Sequence, residues 1–179
     1  MKQILAVLVE NQPGVLARVA GLIRRRGFNI DSLAVGTTAD PAISRITLVV
    51  DGDEPQIQQV MRQLEKLIEV LAVSELAEGA SVARELALIK VTATPESRPQ
   101  LLQLAAVFRA NVVDVAKGAI MIEVTGNQEK VDALIAVTRE YGIQEVVRTG
   151  VIALGRGTQS AIPSFIQEDD THDAYVLRG

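Results

Sequence analysis

The 179-residue sequence contains no cysteine and no tryptophan, and aromatic residues make up only 3 % of it. Without cysteine the chain can form neither disulfides nor thiolate metal sites. The only histidine, His172, lies close to the C-terminus, so a catalytic site that depends on histidine is a poor hypothesis. With so few aromatic residues, the core must consist of Val, Leu, Ile and Ala, which suits β-branched strands packed against helices.

Long hydrophobic runs and an excess of positive charge are also missing. The apolar run that opens the chain, residues 4–9, is too short for a signal-peptide core or a membrane span. We therefore expect a cytoplasmic protein that does not enter a membrane. The formal net charge is −4, so nucleic acid and acidic membrane surfaces are poor candidate partners.

Hydrophobic periodicity predicts the same order of elements twice along the chain. Short β-branched runs alternate with stretches of helical periodicity, and Gly, Pro and Asn mark the turns. Both halves read β-α-β-β-α-β, the ferredoxin-like arrangement. We predict an α+β protein with two ferredoxin-like βαββαβ domains. The predicted divisions are residues 1–78, a linker at 79–83, residues 84–157, and a flexible tail at 158–179.

Two details of the first half can be tested against a structure. Residues 4–9 do not alternate between apolar and polar, so both faces of this strand should be covered. The cover could be another subunit, the second domain or a partner protein. The second helix should bury one stripe of apolar residues. Its members are Ile57, Val60, Met61, Leu64 and Ile68.

A candidate ligand site lies between the first strand and the first helix. Unpaired backbone amides at a helix start, together with the helix dipole, can hold a carboxylate without any basic side chain. Gly14 lets a ligand approach the main chain, and Asn11 offers both a donor and an acceptor. Asn29, which opens the next strand, can offer its carbonyl to an ammonium group. These groups suit a free amino acid.

Apolar residues near these polar groups could line a pocket for the side chain of such an amino acid. The candidates are Val15, Leu16 and Ile30. The residues alone leave a simpler interpretation open, in which Asn-x-Pro-Gly is only a turn and helix cap.

Several segments resemble the small subunit of acetolactate synthase, which begins with an ACT domain. The resemblance runs from residue 2 to about residue 157. It is carried by ILAVLVENQPGVLARV at residues 4–19, RGFNIDSL at 26–33, SRIT at 44–47, QLEKLIEV at 63–70, RELALIKV at 84–91 and GVIALGRG at 150–157.

The resemblance implies a regulatory subunit that forms a homodimer and binds valine or a related branched-chain amino acid between two ACT domains. Asn11, Gly14, Val15 and Leu16 of one chain would hold the carboxylate end, and Asn29 and Ile30 of the other would complete the site. The partner would be a large catalytic subunit with thiamine diphosphate, FAD and magnesium. This chain itself would carry no cofactor, no metal and no catalytic residue.

Three other functions are compatible with parts of the pattern. An ACT-type sensor could regulate a different enzyme or a transporter. An RNA-binding ferredoxin-like module would need exposed aromatic residues on its central strands and a basic surface, but residues 4–9 and 43–50 contain no aromatic residue and the net charge is negative. A purely structural dimer would bind no ligand. The acidic stretch Asp169-Asp170-Thr171-His172 reads as a solvated tail rather than a metal site.

Overall fold

The computed structural model describes residues 2–77 and 79–157, which form two small α+β domains. The predicted tail, including Asp169–His172, lies outside these residues. No helix in the described ranges is long and apolar enough to cross a membrane. In chain order the elements are β1 (Lys2–Glu10), α1 (Val15–Arg25), β2 (Ile30–Thr37), β3 (Ile43–Asp51), α2 (Glu54–Leu64), β4 (Val70–Leu76), β5 (Ser81–Thr92), α3 (Arg98–Val107), β6 (Asn111–Val115), β7 (Ala119–Gly126), α4 (Gln128–Thr138), β8 (Ile143–Arg148) and β9 (Ile152–Gly155).

Each domain contains one antiparallel sheet, and the two sheets have the same topology. The strand order is β2-β3-β1-β4 in the first domain and β6-β7-β5-β8 in the second. The first strand of each domain therefore lies in the interior of its sheet, and the second strand lies at an edge. This confirms the predicted α+β fold of two ferredoxin-like βαββαβ domains.

The ends of α1 and α2 follow from local sequence. Gly27, at φ +77°, ends α1, and its N–H donates to the carbonyl of Arg24 at 3.0 Å. The N–H of Phe28 reaches back to the carbonyl of Ile23 at 3.3 Å, which completes a Schellman motif. Asp53 and Gln56 form a reciprocal capping box at the start of α2. The direction in which the chain enters β2 is thus fixed by hydrogen bonds.

One apolar core lies between the helices and the sheet in each domain. Leu5, Val7 and Val9 of β1 contribute to the first core, and Ala87, Ile89 and Val91 of β5 occupy the equivalent positions in the second. Fully burying a Val or Leu side chain stabilises a fold by about 1.5–3 kcal/mol. The apolar β1 and β5 thus tie the helices of each domain to its sheet.

The predicted stripe on α2 is correct except at its last member. Ile57, Val60 and Leu64 are buried, and Met61 packs against them. Ile68 is 91 % exposed and was wrongly included, because α2 ends at Leu64. A tight turn follows, in which the N–H of Leu67 donates to the carbonyl of Leu64, and Leu67 packs against the core.

The long strand β5 belongs to both halves of the molecule. Its residues 85–92 lie in the second sheet, whereas residues 81–84 pair with β9 as a two-stranded ribbon. The strand therefore extends into the segment 79–83 that the sequence analysis assigns to the linker, because β9 supplies it with backbone partners. At the transition the buried carboxylate of Glu85 accepts hydrogen bonds from the Arg148 guanidinium.

The ribbon covers the face of the first sheet that the helices leave open. Ala83 and Ala153 of the ribbon pack with Ala6 of β1 and with Leu76 of β4. The Arg45 guanidinium donates to the carbonyl of Ala153 at 2.7 Å. The sequence left three possibilities for covering this face: another subunit, the second domain or a partner protein. The structure shows the second domain lying over Ala6.

Gly150 lies close against strand β2 of the first domain. It precedes β9 and has φ +82°, and a Cβ added there would lie 2.9 Å from the carbonyl oxygen of Leu33. Next to it, the N–H of Val151 donates to Ser32 Oγ at 2.7 Å. Strand β2 is therefore held against the start of the ribbon by a hydrogen bond and by direct backbone contact.

Replacing Gly150 with alanine should destabilise the protein more than the same change at Gly79. Both glycines have nearly the same φ, +82° and +83°, but Gly79 has no atom within 4 Å of an added Cβ. We expect Gly79→Ala to cost about 1–2 kcal/mol from the left-handed backbone alone. Gly150→Ala should cost about 1–3 kcal/mol more from overpacking.

Urea unfolding of both variants measures the difference in the free energy of unfolding. Equal losses would mean that the contact between Gly150 and Leu33 does not constrain the two domains.

Candidate functional site

The start of α1 has backbone donors without acceptors. Gly14 precedes the helix at φ +88° and ψ −13°, no side chain caps this end, and the first turn contains no acidic residue. Among the described residues, no hydrogen bond is made by the amides of Gly14, Leu16 and Ala17. The amide of Val15 has only a long contact, 3.4 Å, to the carbonyl of Gln12. These donors and the helix dipole suit a carboxylate.

The equivalent turn of the second domain is filled by its own side chains. The N–H of Thr94 donates to Ser97 Oγ at 2.9 Å, and the N–H of Ser97 donates to Thr94 Oγ1 at 3.2 Å. A hydrogen bond from Thr94 also lowers the pKa of the Glu96 carboxyl, so the turn carries its own anion. No side chain caps α3 itself, but side chains engage two amides of the turn before it, whereas the turn before α1 has no such bonds.

Asn11 is fixed beside these amides by the loop between β2 and β3. Its backbone N–H donates to the carbonyl of Ala42 at 2.7 Å, and its side-chain Nδ2 donates to the carbonyl of Pro41 at 2.9 Å. One amide hydrogen is thus engaged, and within the described residues the carbonyl oxygen of the side chain has no donor. The sequence reasoning missed Pro41 and Ala42, because a contact across 30 residues leaves no local signal.

Asn29 is exposed at the entrance to β2 and is oriented by charged neighbours. Its Nδ2 donates to Asp31 Oδ1 at 3.0 Å, and the other oxygen of Asp31 lies 2.9 Å from the Lys2 ammonium. The hydrogen bond and the charge of Asp31 raise the pKa of Lys2. Since the Nδ2 group is engaged, Asn29 can present its carbonyl oxygen to an incoming donor. Neither Asp31 nor Lys2 was among the predicted site residues.

The three predicted pocket residues have different environments. The side chain of Val15 is only 4 % exposed and belongs to the first core, so it can offer a ligand no more than its backbone. Leu16 is 41 % exposed beside the free amides. Ile30 is partly buried against the first core. Leu16 is thus the predicted residue whose apolar side chain is most open to a ligand.

The two polar parts of the predicted site lie at opposite ends of one sheet. The end of β1 pairs Glu10 with Ile43, next to the start of α1, whereas the start of β2 pairs Ile30 with Val50. Positions 43 and 50 of β3 are separated by about 23 Å, at about 3.3 Å per residue. Asn11 and Gly14 therefore cannot meet Asn29 of the same chain around one amino acid.

Strand β2 forms a free edge between these two ends. It pairs with β3 on one side only, and its other side has no strand partner in the described ranges. Leu33 and Val35 of this edge are 36 % and 48 % exposed. An exposed edge with apolar side chains is suited to pairing with another strand.

Comparison with known proteins identifies one family over both domains. Residues 5–72 match the family model described as the AHAS small subunit-like ACT domain. Residues 84–157 match the model described as the small subunit of acetolactate synthase. The crystal structure of the acetolactate synthase small subunit from Thermotoga maritima superposes with a TM-score of 0.83 at 38 % identity, covering 89 % of this chain and 99 % of that one.

Relatives from distant organisms agree with this match. A probable acetolactate synthase small subunit from Archaeoglobus fulgidus is 56 % identical over 159 residues, which are 89 % of this chain and 99 % of the relative. The acetolactate synthase small subunit of Bacillus subtilis is 44 % identical over 165 residues, 92 % of this chain and 96 % of the relative. The chain therefore belongs to the family of small, regulatory subunits of acetolactate synthase, and its first domain is an ACT domain.

Proposed function

We propose that this chain activates the catalytic subunit of acetolactate synthase and makes it sensitive to feedback inhibition by valine. The observation that carries the proposal is the uncapped start of α1, where Gly14, Leu16 and Ala17 leave their amides free. Membership of the family favours acetolactate synthase over another enzyme as the target. The catalytic chemistry, with thiamine diphosphate, FAD and magnesium, would belong to the partner.

A valine zwitterion matches the two polar parts of the site in charge and size. Its carboxylate would accept hydrogen bonds from the free amides at the start of α1. Its ammonium group would donate to the side-chain carbonyl of Asn29, with Asp31 adding negative charge nearby. Its isopropyl group would pack against Leu16, which is the exposed apolar residue beside the amides.

A second copy of the chain would bring these parts together. If β2 pairs with β2 of a symmetry mate across a two-fold axis, the strands run antiparallel and the start of one meets the end of the other. The end of β2 pairs Thr37 with Ser44, one residue from the Glu10–Ile43 pair that precedes α1. Asn29 of one chain would then lie beside Gly14 of its mate. The pairing would also bury Leu33 and Val35.

Such a shared site couples ligand binding to the geometry of the dimer. Valine changes the regulation only if it binds one arrangement of the two chains better than another. Allosteric couplings of this kind amount to about 1–3 kcal/mol. We propose that the arrangement without valine activates the catalytic subunit and that valine stabilises a less activating one.

The variant Gly14→Asp should uncouple activation from valine. Its carboxylate would occupy the start of α1 and repel the carboxylate of valine, whereas Gly14→Asn has nearly the same shape without the charge. Both residues tolerate a left-handed backbone better than most. With the purified catalytic subunit, we expect both variants to activate. Gly14→Asp should need about tenfold more valine, or more, for half-inhibition than Gly14→Asn.

The measurement is acetolactate formation with increasing valine, with the wild-type chain as reference. Wild-type sensitivity of Gly14→Asp would contradict the proposed carboxylate site. Failure of the wild-type chain to activate would contradict the proposed function as a whole.

Mixing two variants that each bind valine weakly should restore valine binding if the site is shared between chains. Gly14→Asp and Asn29→His should each weaken valine binding in homodimers by about tenfold or more. A mixed dimer combines both substitutions in one site and leaves the other site intact. After unfolding and refolding together, about half of the dimers are mixed, so about a quarter of the wild-type sites should return. Isothermal titration with valine measures the stoichiometry, and no recovery would mean that the site is not built from two chains.

A lysine on the free edge of the first sheet should prevent dimerisation. Val35→Lys places a charge on β2, where pairing would have to bury it. Val115→Lys is the matched control, since Val115 lies on the equivalent edge strand β6 and is exposed to a similar degree, 55 % against 48 %. Analytical ultracentrifugation should show monomers for Val35→Lys and dimers for Val115→Lys. The opposite pattern would place the dimer contact in the second domain.

A further inference from the structure

The helix layer of the first domain carries a cluster of basic residues that the proposed valine site does not use. These residues, which we call the basic face, are Arg24, Arg25 and Arg26 at the end of α1 and Arg62 and Lys66 at the end of α2. All five are exposed. Within the described part of the chain none of them forms a salt bridge, whereas Arg18 on the same helix pairs with Glu69.

The two parts of the basic face lie side by side. The Arg26 guanidinium donates to Gln63 Oε1 at 3.1 Å, which links the end of α1 to the end of α2. Gln63 lies in sequence between Arg62, in the last turn of α2, and Lys66, in the tight turn that follows, whose N–H donates to the carbonyl of Gln63 at 3.3 Å. Residues 24–26 and 62–66 contain a single acidic residue, Glu65. The result is a local excess of positive charge on a chain whose net charge is −4.

Helix dipoles account for only part of this cluster. Arg24, Arg25 and Arg62 lie in the last turns of their helices, where a positive charge is favourable. Arg26 and Lys66 lie beyond those turns, and like charges this close together repel one another. An acidic surface placed against these residues would relieve the repulsion and speed association through electrostatic attraction.

We propose that the basic face is the surface on which the acetolactate synthase catalytic subunit docks, through an acidic patch of that partner. The inference rests on the proposed function, since it names the surface by which the two subunits meet. A protein fits better than nucleic acid, because the chain as a whole is acidic and residues 24–26 and 62–66 contain no aromatic side chain for base stacking.

The position of the basic face connects docking to valine. Arg26 is followed by the Gly27 turn and then by Asn29, the proposed partner of the valine ammonium group. The hydrogen bonds from Gly27 and Phe28 back into α1 fix this turn. Valine held by Asn29 would therefore bind at the start of β2, next to the docked catalytic subunit. The N-terminal end of α1, at Gly14, would belong to the second valine site of the dimer.

Charge reversal on the basic face should weaken binding to the catalytic subunit without affecting valine. The two test variants are Arg24→Glu with Arg25→Glu and Arg62→Glu with Lys66→Glu. The matched control, Lys117→Glu with Arg139→Glu, makes the same change in net charge at exposed positions of the second domain. By isothermal titration at low salt, each test variant should bind the purified catalytic subunit about tenfold more weakly or worse. The control should bind as the wild-type chain does.

Two further measurements separate the possible outcomes. Valine titration and thermal unfolding of each variant must match the wild-type chain, which shows that the dimer and its effector site are intact. The wild-type affinity should fall as salt is raised from 50 to about 500 mM, and the test variants should respond less. If valine binding is lost in one pair, the other pair of substitutions, on a different helix, still tests the surface.

Equal affinity of the wild-type chain and both test variants would overturn this inference and leave the proposed function standing. Failure of the wild-type chain to bind the catalytic subunit would overturn both. Binding of a duplex oligonucleotide that the test variants lose would assign the basic face to nucleic acid and also overturn the inference.

Discussion

The structure depends on one constraint, which is that the central strand β1 is apolar on both of its faces. Val7 points to the helices and Ala6 to the opposite side, and both are almost completely buried. Water must therefore be kept from both surfaces. The helices cover one, and the ribbon of β5 and β9 covers the other. The free β2 edge and the two ends of the sheet remain open, and the groups suited to a ligand and to a second chain lie there.

The two domains show how one topology can carry different chemistry. At the turn after the first strand, the second domain engages the amides of Thr94 and Ser97 with its own side chains. The first domain has Pro13 and Gly14 at this place, and neither offers a side-chain acceptor. The same turn is held by side-chain hydrogen bonds in one domain and offers a set of open donors in the other. Fold similarity alone could not distinguish the two.

Local pattern predicted the elements well, because β-branched runs, helical periodicity and turn residues are encoded over short stretches. The order of both domains and the end of α1 at Gly27 followed from it. Local pattern could not predict where α2 ends or which side chains are buried or held by distant parts of the chain. Ile68 has helical spacing but follows a turn, and Val15 looks available to a ligand but fills the core. The support of Asn11 by the β2–β3 loop likewise has no signature in neighbouring residues.

The dual membership of β5 has a mechanical consequence. A strand resists stretching along its axis, and β5 runs without interruption from the ribbon over the first sheet into the middle of the second. The buried ion pair of Glu85 and Arg148 secures the point at which it passes from one to the other. The ribbon that lies on the first sheet and the central strand of the second sheet are therefore one piece of backbone. A displacement of the ribbon over the ACT domain sheet would consequently be carried along this backbone into the second sheet.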